Sequence, residues 1–196
     1  MDTVDFPHLA TGNNRREILQ AGLVGFLGSI SLSLFSTPVE AATFAMPRSG
    51  DFKVAFRNGH TGDTFAGTYR VGGKYLPEAF DRINYVLRDF RSGDVFPIDP
   101  RAIDILYSLQ RKTGQRDALE VLSGYRCPRT NAMLNKTTSG VARKSLHLTG
   151  QAIDIRQPGY STSRLRNAAV GLKAGGVGYY PASNFVHVDT GRVRHW

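Results

Sequence analysis

The sequence predicts an α+β domain with a central antiparallel sheet and helices packed mainly on one side of it. Apolar residues recur at helical spacing in two stretches, 76–90 and 99–113, which are separated from several shorter stretches of strand type. The composition, 41% hydrophobic and 21% charged over 196 residues, is that of a globular protein with room for one domain and an additional segment.

The additional segment is the N-terminus, residues 1–42, which has the pattern of a twin-arginine (Tat) signal peptide. Arg15 and Arg16 precede an uncharged run at 18–36, and small residues at 39–42 are typical of a cleavage site. An uncleaved membrane anchor is the alternative, because the run is just long enough to span a bilayer. Glycines and serines weaken that alternative, so we expect no stable membrane span and a location in the periplasm or cell envelope.

The charge of the exported part points to an anionic partner outside the cytoplasm. Removal of residues 1–42 takes away two arginines and four carboxylates, which raises the formal net charge from +9 to +11. Such a surface favours polyanions or peptide carboxylates. Nucleic acid is an unfavoured partner, because the sequence has no finger spacing, recognition helix or basic stripe interleaved with aromatic residues.

The remaining chain divides into a linker at 43–50 and a domain at 51–196. The domain begins with a predicted hairpin, in which strands 52–57 and 64–69 flank a turn that contains His60. A histidine in a turn is usually only solvated, so His60 is a weak candidate ligand.

Two helices follow the hairpin. The first is predicted to begin at Leu76-Pro77-Glu78 and to end at Ser92-Gly93, with one apolar face. The second is predicted to begin with Asp99 as N-cap and Pro100 in its first turn, and to end at Gly114.

The last part of the domain alternates short strands and helices. In chain order, the pattern predicts a strand at 119–122, a helix from Pro128, a polar loop at 135–144 that borders a cleft, a strand at 151–155, a helix from Ser161 or Thr162 to Lys173, a glycine-rich strand at 175–180 and a strand at 185–189. Cys127 excludes an intramolecular disulfide because it is the only cysteine, and we expect it to be buried and structural.

Two histidines and an aspartate in this region have the chemistry of a catalytic zinc site, which needs three protein ligands and a water. In strand 151–155, Asp154 lies on the face opposite the isoleucines, and in strand 185–189, His187 lies on the face opposite the valines. If the two strands share a sheet, Asp154 and His187 converge, and Gly150 allows His147 to reach in from the preceding loop. The sequence therefore predicts a zinc site (Zn²⁺) on the open face of the sheet, with ligands His147, Asp154 and His187.

The spacing of these residues resembles a known family. Ser-x-His-x-x-Gly-x-Ala-x-Asp, from Ser145 to Asp154, followed by a distant x-His-x-Asp, resembles the zinc D-Ala-D-Ala carboxypeptidase and dipeptidase superfamily. The upstream segment 123–126 also fits, and the run at 175–191 is similar to the YcbK-like branch of exported proteins. The resemblance covers roughly residues 50–196, nearly all of the exported part.

The resemblance implies a metallopeptidase of peptidoglycan, a murein D,D-endopeptidase or D,D-carboxypeptidase; the residues themselves leave L,D-type cleavage open as well. It implies zinc bound by His147, Asp154 and His187. Arg126 would bind a substrate carboxylate or stabilise the oxyanion, and Ser145 would contact substrate or orient His147.

The chain departs from better-known members at the general base. They carry a carboxylate three residues before the last histidine or a histidine two before it, positions that Asn184 and Phe185 occupy here. Asp189 is the remaining candidate to shuttle the proton, and its alternative role is to orient a ligand histidine. His195 is a weaker candidate.

The missing base also motivates an alternative function, a catalytically weak or inactive zinc-containing module that binds the wall. A cysteine peptidase would need a histidine partner for Cys127, and both credible histidines are assigned to the metal. The oligomeric state is left open.

Overall fold

The computed structural model describes residues 44–138 and 140–196. The strands are β1 (Asp51–Asn58), β2 (Thr64–Val71), β3 (Lys74–Tyr75), β4 (Leu119–Ser123), β5 (Ala152–Arg156), β6 (Gly176–Tyr180), β7 (Phe185–Asp189) and β8 (Arg194–His195). The helices are α1 (Pro77–Val86), α2 (Pro100–Thr113), α3 (Pro128–Thr137) and α4 (Thr162–Val170), with short 3-10 turns at Leu146–Thr149 and Pro181–Ser183. The predicted signal peptide lies outside the described residues.

The eight strands form one sheet in the order β3-β2-β1-β4-β5-β7-β6-β8. The fold is α+β, but the sheet is mixed, which corrects the predicted antiparallel sheet. β1 pairs with β4 in parallel, and β6 pairs with β8 in parallel. The chain between β3 and β4 passes through α1 and α2, and a crossover of that length allows β4 to run in the same direction as β1.

The core lies between this sheet and three of the helices. Phe52, Val54 and Phe56 of β1 are buried at every second position, as the alternation predicted. They join one hydrophobic cluster with buried residues of α1, α2 and α4, which also takes in the valines and isoleucines of β5 and β7. Asp154 and His187 alternate with those residues and therefore lie on the other face of the sheet.

The helix ends follow the predicted signals at both ends of α2, but in α1 only at its start. Asp99 caps α2 by accepting the backbone N–H of Arg101 at 2.9 Å, and Gly114 ends it in the left-handed conformation. α1 ends at Val86, six residues before the predicted Ser92. Asn58 donates its side-chain N–H to the Val86 carbonyl at 2.9 Å, a long-range contact that satisfies the helix end and that no local pattern reveals.

The predicted linker is attached to the domain in its described part. Residues 44–50 form no helix or strand. Phe44 and Met46 nevertheless pack against the core, and Arg70 donates to the Pro47 carbonyl at 2.8 Å. Within the described residues, no helix has the length and apolar character needed to cross a membrane.

Candidate metal centre

The floor of the site is a row of cross-strand neighbours. Ser123 of β4 faces Asp154 of β5, Asp154 faces His187 of β7, and His187 faces Gly178 of β6. Neighbours of this kind share one face of a sheet. Asp154 and His187 therefore converge, and the His187 Nδ1 lies 2.8 Å from the Asp154 Oδ1.

His147 reaches this row from the 3-10 turn before β5. Ser145 caps the turn, its hydroxyl accepting the His147 backbone N–H at 3.4 Å, and Gly150 ends it at φ 66°. A Cβ at Gly150 would clash with the Pro97 carbonyl, so only glycine lets the chain pass here. The result places the His147 Nε2 3.3 Å from the Asp154 Oδ2.

The three side chains have the spacing of metal ligands. One ligand atom from each of His147, Asp154 and His187 lies within 4.8 Å of the others. Ligand atoms on a tetrahedral ion with bonds of about 2.0–2.2 Å lie roughly 3.3 Å apart, so small adjustments suffice to coordinate one ion. His147 and Asp154 are buried, and His187 is partly exposed to the cleft.

Whether the two histidines can bind a metal depends on which ring nitrogen of each imidazole carries the proton. The His147 Nδ1 lies 2.7 Å from the Gly124 carbonyl, which can only accept, so this nitrogen carries the proton and Nε2 keeps a lone pair toward Asp154. The His187 Nε2 lies 3.2 Å from the Asp189 carboxylate, which fixes its proton in the same way. Both nitrogens that face Asp154 are therefore available as ligands, and outer contacts of this kind are typical of metal-binding histidines.

The buried negative charge of Asp154 favours a positive charge within the cluster. Burial opposes ionisation of His187, but its hydrogen bonds to Asp154 and Asp189 outweigh burial and raise the His187 pKa to about 9. Burial likewise opposes ionisation of Asp154, but the two histidines hold its pKa well below the usual range. A second proton on His187 or a metal ion satisfies the carboxylate, and metal binding displaces that proton.

Asp189 lies behind His187 and makes many contacts. Its Oδ1 accepts from the backbone N–H groups of Gly176 and Gly191 and from Arg194, and its Oδ2 accepts from His187 and Arg194. The side chain is fully buried. Burial alone would raise its pKa, but the hydrogen bonds from His187, Arg194 and the backbone lower it. This geometry favours the second predicted role, orientation of His187, over the proton shuttle.

Arg126 follows β4 and lines the cleft beside Asp154. Its backbone N–H donates to the His147 carbonyl at 3.0 Å. Its guanidinium lies 3.3 Å from both Asn131 and Ser123 and 3.9 Å from the Asp154 Oδ2. Burial lowers the Arg126 pKa, and its Nε has no hydrogen-bond partner among the described residues. Because Arg126 lines the cleft, its guanidinium can bind an anionic group there.

The other candidates lie away from the ligands. His60 stacks on Phe90 with ring centroids 3.8 Å apart. His195 pairs with Val177, so it lies on the opposite face of the sheet from His187. Cys127 is buried and caps α3, its Sγ accepting the Thr130 backbone N–H at 3.4 Å.

Sequence reasoning missed Arg194 and Trp196, which line the cleft from β8 and the residue after it. Both come close to His187 only through the pairing of β8 with β6. A strand of two residues such as β8 is too short to produce a recognisable sequence pattern.

Comparison with known proteins bears on what this cleft does. The sequence model of a family described as "Peptidoglycan L,D-endopeptidase MepK", of the peptidase M15 class, matches residues 47–196. The chain belongs to this family. Peptidoglycan L,D-endopeptidase MepK of Escherichia coli K12 is 41% identical over 184 residues, which cover 93% of this chain and 97% of that protein. Probable peptidoglycan L,D-endopeptidase MepK of Haemophilus influenzae is 37% identical over 188 residues, with 94% and 95% covered.

Membership confirms the predicted superfamily and enzyme class. The protein is a metallopeptidase that acts on peptidoglycan. Its family is generally metal-dependent, and the described residues contain a cluster that could hold a metal ion, formed by His147, Asp154 and His187.

Proposed function

We propose that the protein is a zinc-dependent peptidoglycan L,D-endopeptidase that is exported through the twin-arginine signal in residues 1–42. The observation that carries the proposal is the pair of imidazoles whose outer N–H groups are engaged and whose inner nitrogens converge on Asp154. The names of the relatives favour L,D cleavage over the D,D reactions expected from sequence.

In this proposal His147, Asp154 and His187 hold the zinc ion. Two nitrogens and one carboxylate oxygen are the donor set of a catalytic zinc, which keeps a further position open. When bound, zinc polarises a carbonyl oxygen and lowers the pKa of water toward neutrality.

The surrounding residues orient the ligands and bind the substrate. Asp189 and Gly124 hold the two imidazoles with their lone pairs inward, and Ser145 caps the turn that carries His147. Arg126 binds a substrate carboxylate or the oxyanion, because its guanidinium lines the cleft next to Asp154. We assign Asp189 to orientation because its oxygens accept from Arg194, His187 and the backbone.

The test is digestion of purified peptidoglycan that contains both L,D and D,D cross-links, followed by mass analysis of the products. The zinc-loaded protein is expected to remove the L,D-cross-linked dimers, and chelation or His187→Ala is expected to stop this. Loss of the D,D dimers alone would contradict the bond assignment. Activity that survives both chelation and His187→Ala would exclude the zinc mechanism.

A catalytically weak peptidase that acts mainly as a wall-binding module is the second candidate, and the saturation of Asp189 favours it. Besides Asp154, Asp189 is the one carboxylate among the described residues that line the cleft, and its low pKa makes it a poor base. Tight sedimentation with peptidoglycan and no new products in the same assay would support this candidate.

A further inference from the structure

Three aromatic side chains line the cleft beside His187, and we call them the aromatic wall: Tyr180, Phe185 and Trp196. Tyr180 and Phe185 stack with ring centroids 4.5 Å apart and planes 13° apart. The indole N–H of Trp196 donates to the Tyr180 hydroxyl at 3.0 Å, and the Trp196 ring centroid lies 5.5 Å from that of His187. The wall is thus one connected surface next to the metal ligands.

The backbone directs the indole onto this face. Trp196 exchanges two backbone hydrogen bonds with β6, donating to the Val177 carbonyl at 3.2 Å and accepting from the Tyr179 N–H at 3.0 Å. Gly178 is the cross-strand neighbour of His187, and a Cβ there would lie 2.8 Å from two indole carbons. The indole therefore occupies the space that a side chain at position 178 would fill, beside His187.

The aromatic wall is separate from the hydrophobic core. None of its three residues belongs to the core cluster or packs against it, because the core lies on the other face of the sheet. Trp196 remains 50% exposed. Apolar surface left exposed beside a concave polar site marks a ligand-binding surface rather than packing.

The rest of the cleft defines what the wall can bind. The cavity is ≈ 260 Å³, and Arg126 and Lys144 contribute positive charge to its lining. The two lining carboxylates, Asp154 and Asp189, are already engaged by the histidines and Arg194. Flat apolar faces combined with cations suit a ligand that carries aliphatic carbon next to a carboxylate, as an amino acid of a stem peptide does.

We propose that the aromatic wall determines substrate specificity by holding the aliphatic part of a stem-peptide residue next to the scissile bond. Trp196 is its central residue, while Arg126 and Lys144 bind the carboxylates of the same substrate. This inference rests on the proposed endopeptidase function and adds the residues that select the substrate.

The kinetic test compares Trp196→Ala and Trp196→Phe with the parent protein on a cross-linked peptide that carries no sugar. We expect Trp196→Ala to lower kcat/KM about 10- to 100-fold, mainly through KM, because a large aromatic contact is lost. Trp196→Phe is expected to restore most of it. Tyr85→Ala is the matched control, since Tyr85 is 52% exposed on α1 and does not line the cleft.

Fluorescence provides a readout that needs no catalysis. Trp196 is the only tryptophan of the sequence, so intrinsic emission reports on the wall directly. Titration of the zinc-free protein with the same peptide is expected to shift or quench this emission saturably. The measurement uses the unmodified chain, so it holds even if a variant fails to fold.

The outcomes separate this inference from the function on which it rests. A zinc-loaded parent protein that cleaves no cross-link refutes the proposed function itself. An active parent whose kcat/KM is unchanged by Trp196→Ala refutes the aromatic wall alone. If Trp196→Ala lowers kcat/KM only with a sugar-bearing substrate, the aromatic wall binds glycan. If Trp196→Ala loses zinc, the indole supports His187. Either result overturns the proposal.

Discussion

At the scale of single residues, the site depends on where two protons are placed. The Gly124 carbonyl and the Asp189 carboxylate each hold the outer N–H of one imidazole, so the inner nitrogens of His147 and His187 both face Asp154, and a metal ion displaces only the second proton of His187. Arg194 holds Asp189 in turn with two hydrogen bonds of 3.0 and 2.7 Å. The donor set is therefore arranged before any ion binds.

Asp189→Asn tests this arrangement. The amide oxygen is a weaker acceptor for the His187 N–H and a weaker partner for Arg194, so we expect zinc affinity to fall about 10- to 100-fold. Competition with a chromophoric chelator measures this on the folded protein. Asp81→Asn is the control, because Asp81 is an exposed carboxylate on α1. Equal zinc affinity of Asp189→Asn and the parent would show that Asp189 does not orient His187.

At the scale of elements, the 3-10 turn at Leu146–Thr149 delivers His147 to the sheet. Its position is set by Gly150, which lies so close to the Pro97 carbonyl that a Cβ would clash with that oxygen, and whose own carbonyl accepts the Asp99 N–H at 3.0 Å. The same carbonyl contact joins the turn to the start of α2. A helix that packs in the core thus positions a candidate ligand on the opposite face.

Gly150→Ala is expected to disturb both stability and the metal site. The left-handed conformation and the clash with the Pro97 carbonyl together cost about 2–5 kcal/mol of unfolding free energy. Gly159→Ala isolates the first contribution, because Gly159 has φ 69° and nothing near its Cβ position, and is expected to cost about 1–2 kcal/mol. Urea unfolding and chelator competition measure the two effects. If the two variants lose equal stability and both keep full zinc affinity, the Pro97 contact does not position His147.

At the scale of the whole molecule, a buried polar cluster joins the hairpin to α2, and none of its residues lines the cleft. Asp104 of α2 accepts from the hydroxyls of Tyr69 and Tyr75 at 2.8 and 2.6 Å and pairs with Arg70 at 3.3 Å. Burial, followed by the charge of Asp104, raises the Tyr69 pKa, and burial with the Asp104 hydrogen bond raises that of Tyr75 to about 12. The cluster keeps Arg70 paired inside the protein.

Asp104→Ala separates stability from activity. It leaves the buried Arg70 without its counter-charge, so we expect a loss of about 3–5 kcal/mol in unfolding free energy. Asp63→Ala, which breaks a pair with Arg88 at a carboxylate 32% exposed, is expected to cost under about 1 kcal/mol. Zinc affinity of the folded protein should stay unchanged in both. A drop in zinc affinity for Asp104→Ala would mean that the cluster and the metal site are coupled.

Local patterns predicted most of the elements and the convergence of the three candidate ligands. Alternation in β5 and β7 placed Asp154 and His187 on one face, and their register confirms that they are neighbours. Asp99 and Gly114 marked the ends of α2 because both signals act within a few residues. Local patterns missed the end of α1, the parallel pairing of β4 with β1, and β8. Each of these depends on contacts between residues distant in the chain; the end of α1, for example, depends on the hydrogen bond from Asn58 to Val86.

The sequence by itself determined the enzyme family, the alternating faces of the strands and the three side chains that can hold a metal, because spacing and residue type are local properties. Only the tertiary structure decided that the Asp189 carboxylate accepts hydrogen bonds from His187 and Arg194. It alone also decided that Trp196 lies over Gly178 beside the cleft. The contacts of Arg194 and Trp196 arise where β8 pairs with β6, and the partners of a carboxylate or an indole are known only once the strands are paired.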